Sequence, residues 1–451
     1  MAPRLAGLLL HPTSLPDEPG GLVASARALF DWMQTAGLTV WQILPIGPPG
    51  PGGSPYSSPS AFAGSPSFRL PDAGDGGGAD QAHAPWLDDW CLFAALRETK
   101  GAPWTGWDPP VRRREPSALA AAARELAASV ERHRAAQTAF FAAWRSVRDD
   151  ARARGIAILG DVPIYPALDS ADVWSHQDLF RLDADGRPET VAGVPPDYFS
   201  EDGQLWGNPL YRWDRMHEQG YAWWIARLRH ALSLHDRLRL DHFRGFSGYW
   251  AVPGGAPTAR EGRWEPGPGT PLFDALRGAL GGLPFVAEDL GVITDDVVQL
   301  RRALGIPGTR VLQFAFDGHA DNPYLPHNYV PNTVVYTGTH DNPTTRGWYE
   351  DLPDGERGNL WSYLKRAAGT GAEAAPALLH LAWSSVAALA VAPLQDVLNL
   401  GREARMNQPG SVQGNWRWRA TDDMVSASAL ESLRGLTLAS SRTEPTMAAA
   451  S

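Results

Sequence analysis

Leu238-Arg239-Leu240-Asp241-His242-Phe243 and Phe285-Val286-Ala287-Glu288-Asp289 are short apolar runs that each deliver a carboxylate at their end. Six further runs of β type close in a polar or Gly/Pro-rich turn: Arg4–Leu10, Thr39–Pro45, Ile156–Pro163, Thr309–Phe316, Thr333–Thr337 and Ala388–Pro393. Segments of helical period lie between most of them. Alternating strands and helices imply an α/β protein with a parallel sheet. Eight strands imply closure into a (β/α)8 TIM barrel, here with inserted, mostly helical subdomains. His11, Asp161, Asp241, Glu288, Asp317 and His340-Asp341 all sit at or just past the C-terminal end of a run. In a barrel that end carries the active site. One strand ending in a polar turn says little; this many carboxylates say more.

The barrel so read spans residues 1–438, with insertions near 47–154, 166–216 and 346–385. The first insertion opens with a Pro/Gly/Ser loop and a stretch expected to be flexible, Asp72–Asp80. It continues with Leu119, Leu126, Val130, Phe140, Phe141, Trp144 and Val147 at the spacing of an amphipathic helix pair over Ala118–Arg154. Tyr221–His235 reads as a barrel helix. The Ser/Ala/Thr-rich residues 439–451 read as a disordered tail.

Composition narrows the function classes. A net charge of −10 disfavours nucleic acid as a partner. The single cysteine, Cys91, lies among Trp90, Leu92 and Phe93; it excludes an internal disulfide framework and fits a reducing, cytoplasmic setting. The apolar stretch Ala377–Val391 is broken by His380, Ser384 and Ser385, so it reads as a buried helix and no membrane partner is expected. The 12 histidines form no metal-ligand spacing and no glycine-rich run opens a helix after a strand, so neither metal nor cofactor is expected. Tryptophan is abundant, with 19 residues against 11 Tyr and 14 Phe. Core packing explains part of this. Sugar binding is the sharper explanation, because the C–H face of a pyranose packs on an indole.

Two carboxyl groups facing one another across a bond are what retaining glycoside chemistry requires, one as nucleophile and one as acid/base. Arg239 and Asp241 share a strand face, so Arg239 either keeps a nucleophilic Asp241 ionised or forms an ordinary buried ion pair with it. Four apolar residues precede Glu288, a setting that raises a carboxyl pKa and suits a proton donor. Asp341, in Thr339-His340-Asp341-Asn342-Pro343, reads as a third carboxylate near the sugar or as a turn residue.

These segments together resemble a known family. Arg239-Leu240-Asp241-His242-Phe243-Arg244-Gly245, Ala287-Glu288-Asp289-Leu290-Gly291 and Thr339-His340-Asp341-Asn342 resemble the catalytic segments of the amylomaltases, the 4-α-glucanotransferases of the α-amylase superfamily. Leu9–Pro16, Trp41–Pro45, Ser54-Pro55-Tyr56, Gly160–Tyr165, Gly193–Phe199, Gly203–Pro209, Pro393–Asp396 and Glu403–Asn407 match in order. The resemblance implies Asp241 as nucleophile, Glu288 as acid/base and Asp341 as transition-state stabiliser. It implies Arg239, His340, Tyr56, Trp206, Ser54, Asn208 and Asp161 as substrate-binding positions, with Asp161 mainly structural. Maltooligosaccharides, α-glucan chains and a glucose acceptor are the expected partners. Pro51, Gly53 and Ser57 depart from the family pattern, which touches glucan contacts outside the centre. The alternatives are an α-glucan hydrolase on the same barrel and a non-catalytic glucan-binding protein.

Overall fold

The computed structural model describes residues 4–68, 84–196, 200–411, 413–421, 424 and 427–443. Among the described residues twelve strands follow in chain order: β1 (Leu5–Leu9), β2 (Val40–Gln42), β3 (Ala157–Val162), β4 (Thr190–Val194), β5 (Gln204–Pro209), β6 (Arg237–Leu240), β7 (Gly248–Pro253), β8 (Arg263–Pro266), β9 (Phe285–Ala287), β10 (Gly308–Val311), β11 (Thr333–Tyr336) and β12 (Leu389–Pro393). Eight of them close a parallel barrel in the order β1-β2-β3-β6-β9-β10-β11-β12, with β12 returning to β1. These are the eight runs expected from the sequence. The run Thr309–Phe316 is shorter as a strand, ending at Val311, and Leu312–Phe314 turns as a 3-10 helix.

Alternate residues on each strand divide two cores. Leu9, Val40, Leu159, Val286, Val311, Val334, Leu389 and Val391 pack together inside the barrel. Leu8, Trp41 and Ile158 face outward into the layer that holds the helix Gly21–Ala36. Parallel strands buried on both faces therefore read as continuous apolar runs. The same period-2 rule puts Asp161 two residues above Leu159, and Glu288 two above Val286, on the interior face at the C-terminal end. Gly160 has no side chain because a Cβ there would lie 2.5 Å from the ring of His235, which closes the helix Ala222–Leu234 onto β3.

The insertion expected near 47–154 contains the helices Pro85–Lys100, Pro116–Glu125 and Ala127–Ala153. The last of these also packs on the helix Gly21–Ala36 and on β3, so it belongs to the barrel layer as well. The insertion near 166–216 supplies β4 and β5, which join β7 and β8 in an antiparallel sheet of order β5-β4-β7-β8. Helices Thr345–Asp351, Asp354–Tyr363 and Gly371–Ser384 fill the third, the last opened by a capping box of Thr370 and Glu373. The stretch Asp72–Asp80, residues 197–199 of one family-like segment and the end of the tail lie outside the described residues.

The start of the expected tail is corrected. The helix Ala427–Ala439 is followed by an anchored stretch in which Arg442 is fully buried. Its Nε donates to Trp383 O at 2.7 Å, Nη1 to Leu5 O and Ala387 O at 2.9 Å each, and Nη2 to Ser385 O at 2.9 Å. Burial, with Arg4 nearby, lowers its pKa to about 10, so it is charged at neutral pH. One cation thus ties the C-terminal segment to the N-terminal ends of β1 and β12, away from the carboxylates. Arg442→Ala removes the Arg442 donors from all four carbonyls, of which Ser385 O keeps Arg4 Nη1 at 2.8 Å, and is expected to lower unfolding stability by about 3 kcal/mol. An unchanged midpoint in denaturant unfolding would contradict this.

Candidate active site

Arg239 is the hub of the barrel's upper interior. Its Nη1 donates to Asp161 Oδ1 at 2.9 Å, to Asp161 Oδ2 at 2.8 Å and to Asp241 Oδ1 at 2.8 Å. Strand register makes the first contact direct, since Asp161 on β3 and Arg239 on β6 are paired positions. Tyr56 Oη donates to Asp161 Oδ2 at 2.7 Å. The Tyr56 ring stacks on His340 with centroids 5.2 Å apart and planes at 11°, and Trp416 closes on both rings at 5.9 Å. Strands distant in sequence therefore bring Tyr56, Asp161, Arg239, Asp241 and His340 into one group.

Glu288 joins the group through the turn after Asp241. His242 has φ of 50°, a left-handed conformation rare outside glycine, and its N–H donates to Glu288 Oε2 at 2.7 Å. Leu290 N–H donates to Glu288 Oε1 at 3.0 Å. Asp341 is held from another direction: Asn407 Nδ2 donates to its Oδ1 at 2.6 Å, and Arg405 Nη2 donates to its main-chain O at 2.7 Å. His340 Nε2 lies 3.4 Å from Asp341 Oδ1.

One guanidinium serves three carboxyl groups here, and the electrostatics follow. Burial works to lower the pKa of Arg239, but Asp161 and Asp241 outweigh it and hold the cation firmly charged. Burial pushes Asp241 up to about 6 against the opposing pull of Arg239. Burial likewise pushes Glu288 up to about 8, with Arg239 opposing and the Asp241 charge assisting. The sequence suggested that Arg239 serves Asp241 alone. Arg239 is shared with Asp161, whose charge adds to the larger effect of burial in raising Asp241. Burial drops His11 and His242 to about 3, which keeps both rings neutral.

Other expected positions touch the group less directly. Trp206 meets His242 edge-to-face with centroids 4.7 Å apart. Ser54 accepts from Tyr56 N at 3.3 Å and so fixes the turn that carries Tyr56. Asn208 Nδ2 donates to Pro166 O at 2.9 Å, tying β5 to the loop after β3. Pro51 and Gly53 lie in an exposed turn beside Ser54. Two pockets adjoin the group, the first lined by Tyr56 and Asp161, the second by His11 and His340. Among the described residues no cluster of three or more His, Cys, Asp or Glu could hold a metal. No helix among them is long and apolar enough to cross a membrane.

Three comparisons bear on this geometry. A family model described as "4-alpha-glucanotransferase" matches residues 10–73 and 80–425. The chain belongs to the 4-α-glucanotransferase family. It is 46% identical to the 4-alpha-glucanotransferase of Thermus thermophilus, over 98% of this chain and 99% of that one. It is 42% identical to the chloroplastic/amyloplastic 4-alpha-glucanotransferase of Solanum tuberosum, over 92% and 82% of the two chains. The solved amylomaltase of Streptococcus agalactiae in complex with acarbose superposes with a TM-score of 0.91 at 33% identity, covering 98% of this chain and all of that one.

Sequence reasoning assigned no role to His242, Arg405, Asn407 or Trp416. Arg405 and Asn407 stood inside a matched segment, but nothing local marks them as partners of Asp341. His242 had a signal, its place directly after the carboxylate.

A carboxyl that titrates near 8 when folded, against 4.5 when exposed, binds its proton more tightly in the folded state. Folding then takes up protons between those values, and wild-type stability falls as pH rises through that window. Glutamine does not ionise. Glu288→Gln is expected to melt progressively higher than wild type as pH rises from 4.5 to 8, with the gap levelling off above that. A gap that stays constant with pH would show that Glu288 is not buried as described.

Proposed function

We propose that Asp241 is the nucleophile and Glu288 the acid/base of a retaining transfer of α-1,4-glucan segments between maltooligosaccharides or to glucose. The activity is that of the family; the residue roles are the proposal. The observation that carries it is the pair of raised carboxyl groups around one guanidinium, with Asp241 at about 6 and Glu288 at about 8. Environments that hold two carboxyls apart in this way assign base and acid at neutral pH.

In the first step an Asp241 oxygen bonds to the anomeric carbon as the glycosidic C–O bond breaks, and Glu288 gives its proton to the departing 4-oxygen. In the second, an acceptor 4-hydroxyl gives its proton to Glu288, its oxygen bonds to the anomeric carbon, and Asp241 leaves as carboxylate. Two inversions give net retention. Asp341, fixed by Asn407, faces the hydroxyls and the positive charge of the distorted ring. Arg239 steadies the Asp241 charge, and Tyr56 with His340 forms the wall of the same subsite. Trp206 is the apolar surface beside the leaving chain. Ser54, Asn208 and Asp161 act through the elements they fix. A cytoplasmic setting is part of this proposal, supported by a single cysteine, Cys91, that is buried and free.

Incubation with pure maltotriose tests the reading: glucose together with a ladder of longer maltodextrins supports transfer, whereas glucose and maltose alone support the hydrolase. The dependence of kcat/KM on pH tests the roles, because that ratio reports the groups of the free enzyme. Activity is expected to rise through about pH 6 as Asp241 ionises and to fall through about pH 8 as Glu288 loses its proton. Glu288→Gln is expected to lower kcat on maltotriose by about 10²–10⁴-fold and to remove the alkaline limb. Asp241→Asn is expected to lose more. An Asp241→Asn protein with full transfer activity would refute the assignment.

A further inference from the structure

Eleven of the 19 tryptophans are buried, and only two are exposed, Trp206 at 37% and Trp264 at 45%. The two lie on separate strands, β5 and β8, at opposite edges of the inserted sheet. Both nevertheless pack on the same short turn, Phe243–Phe246 with its N-cap His242. Trp206 meets His242, and Trp264 covers the guanidinium of Arg244 at 4.0 Å. Arg244 stands two residues beyond His242, so its Cα is at most about 7 Å further on. The Arg244 side chain donates from Nη1 to Val292 O, on the loop that leaves Glu288, and makes no other hydrogen bond among the described residues.

Trp264 itself is a supported platform. Arg244 lies on one face and Trp250 meets it edge-on at 5.3 Å, which leaves nearly half of its surface open. An indole held flat by a guanidinium, with unused donors at its margin, matches what a glucose unit offers: an apolar C–H face and rim hydroxyls. Pairing with Trp250 across β7 and β8 accounts for the covered part of this ring and leaves its open part without a partner. Continuity fixes the side of the cleft. The turn and the Val292 loop both spring from the residues that hold Glu288, and the acid/base carboxyl stands beside the leaving and incoming chains.

We propose that Trp264, seated on Arg244, is an outer glucan-binding platform on the acceptor side, reached by chains too long to end at Trp206. This rests on the proposed function, because the acceptor side is defined by Glu288. Glucose fills only the position next to the reacting bond. A longer acceptor runs outward past His242 and lies on the Trp264 indole.

The test measures acceptor KM for labelled glucose and labelled maltopentaose with one common donor, in wild type, Trp264→Ala and Trp264→Phe. Trp264→Ala is expected to raise KM for maltopentaose about fivefold more than KM for glucose, the worth of one ring contact. Trp264→Phe retains a ring and is expected to recover part of that loss. Equal changes for both acceptors, or a fall in kcat at unchanged KM, overturn the platform while leaving the catalytic reading intact. A wild-type protein that elongates neither acceptor overturns the proposed function and the platform with it.

Discussion

A single buried cation organises the upper end of this barrel. Arg239 sits among Asp161, Asp241 and Glu288 with 6% of its side chain exposed, and one of its nitrogens contacts both aspartates. A charge so placed requires partners, because an isolated buried ion is strongly disfavoured. The carboxyls need the cation for the same reason, yet there are more of them than it can neutralise. That shortfall is the constraint on which the site depends. With burial as the larger cause, it leaves protons more firmly held on Asp241 and Glu288 than on exposed carboxyls, and the remaining polar contacts come from backbone N–H groups and from Tyr56. The left-handed turn at His242 follows from the same need, since it aims an N–H at Glu288.

The two ends of the barrel divide the work. At the C-terminal end of the strands, polar groups are crowded and incompletely compensated, an arrangement that favours chemistry over stability. At the other end, Arg442 spends its donors on carbonyls of β1 and of the segment leading to β12, and holds the last described residues against the first strand. Apolar side chains such as Leu159, Val286 and Val391 separate the two layers inside the barrel. This separation lets a strained site persist on a scaffold whose core does not share the strain.

Much of the fold was legible because parallel strands buried on both faces announce themselves as apolar runs, and Asp241 and Glu288 were legible because each ends such a run. The inserted sheet was not. Gln204-Leu205-Trp206-Gly207-Asn208-Pro209 is largely exposed and carries both Gly and Pro, so it shows neither an apolar run nor a clean alternation. The hold of Asn407 and Arg405 on Asp341 was also invisible, since it joins residues more than sixty positions apart with no local pattern. Arg239 beside Asp241 was readable as a pair. Its sharing with Asp161 depends on the register of β3 and β6, which spacing along one strand cannot give. The tail was misjudged at its start because composition describes the Ser/Ala-rich average and not the single arginine that anchors it.

The most direct test is the titration of Glu288 itself, followed by its carboxyl carbon-13 resonance in wild type and in Asp241→Asn. The account predicts a wild-type midpoint near 8 and a lower one in the variant, where the neighbouring negative charge has gone. A wild-type midpoint near 4.5, unmoved by the substitution, would contradict the claim that an under-compensated buried cluster sets the chemistry of this protein.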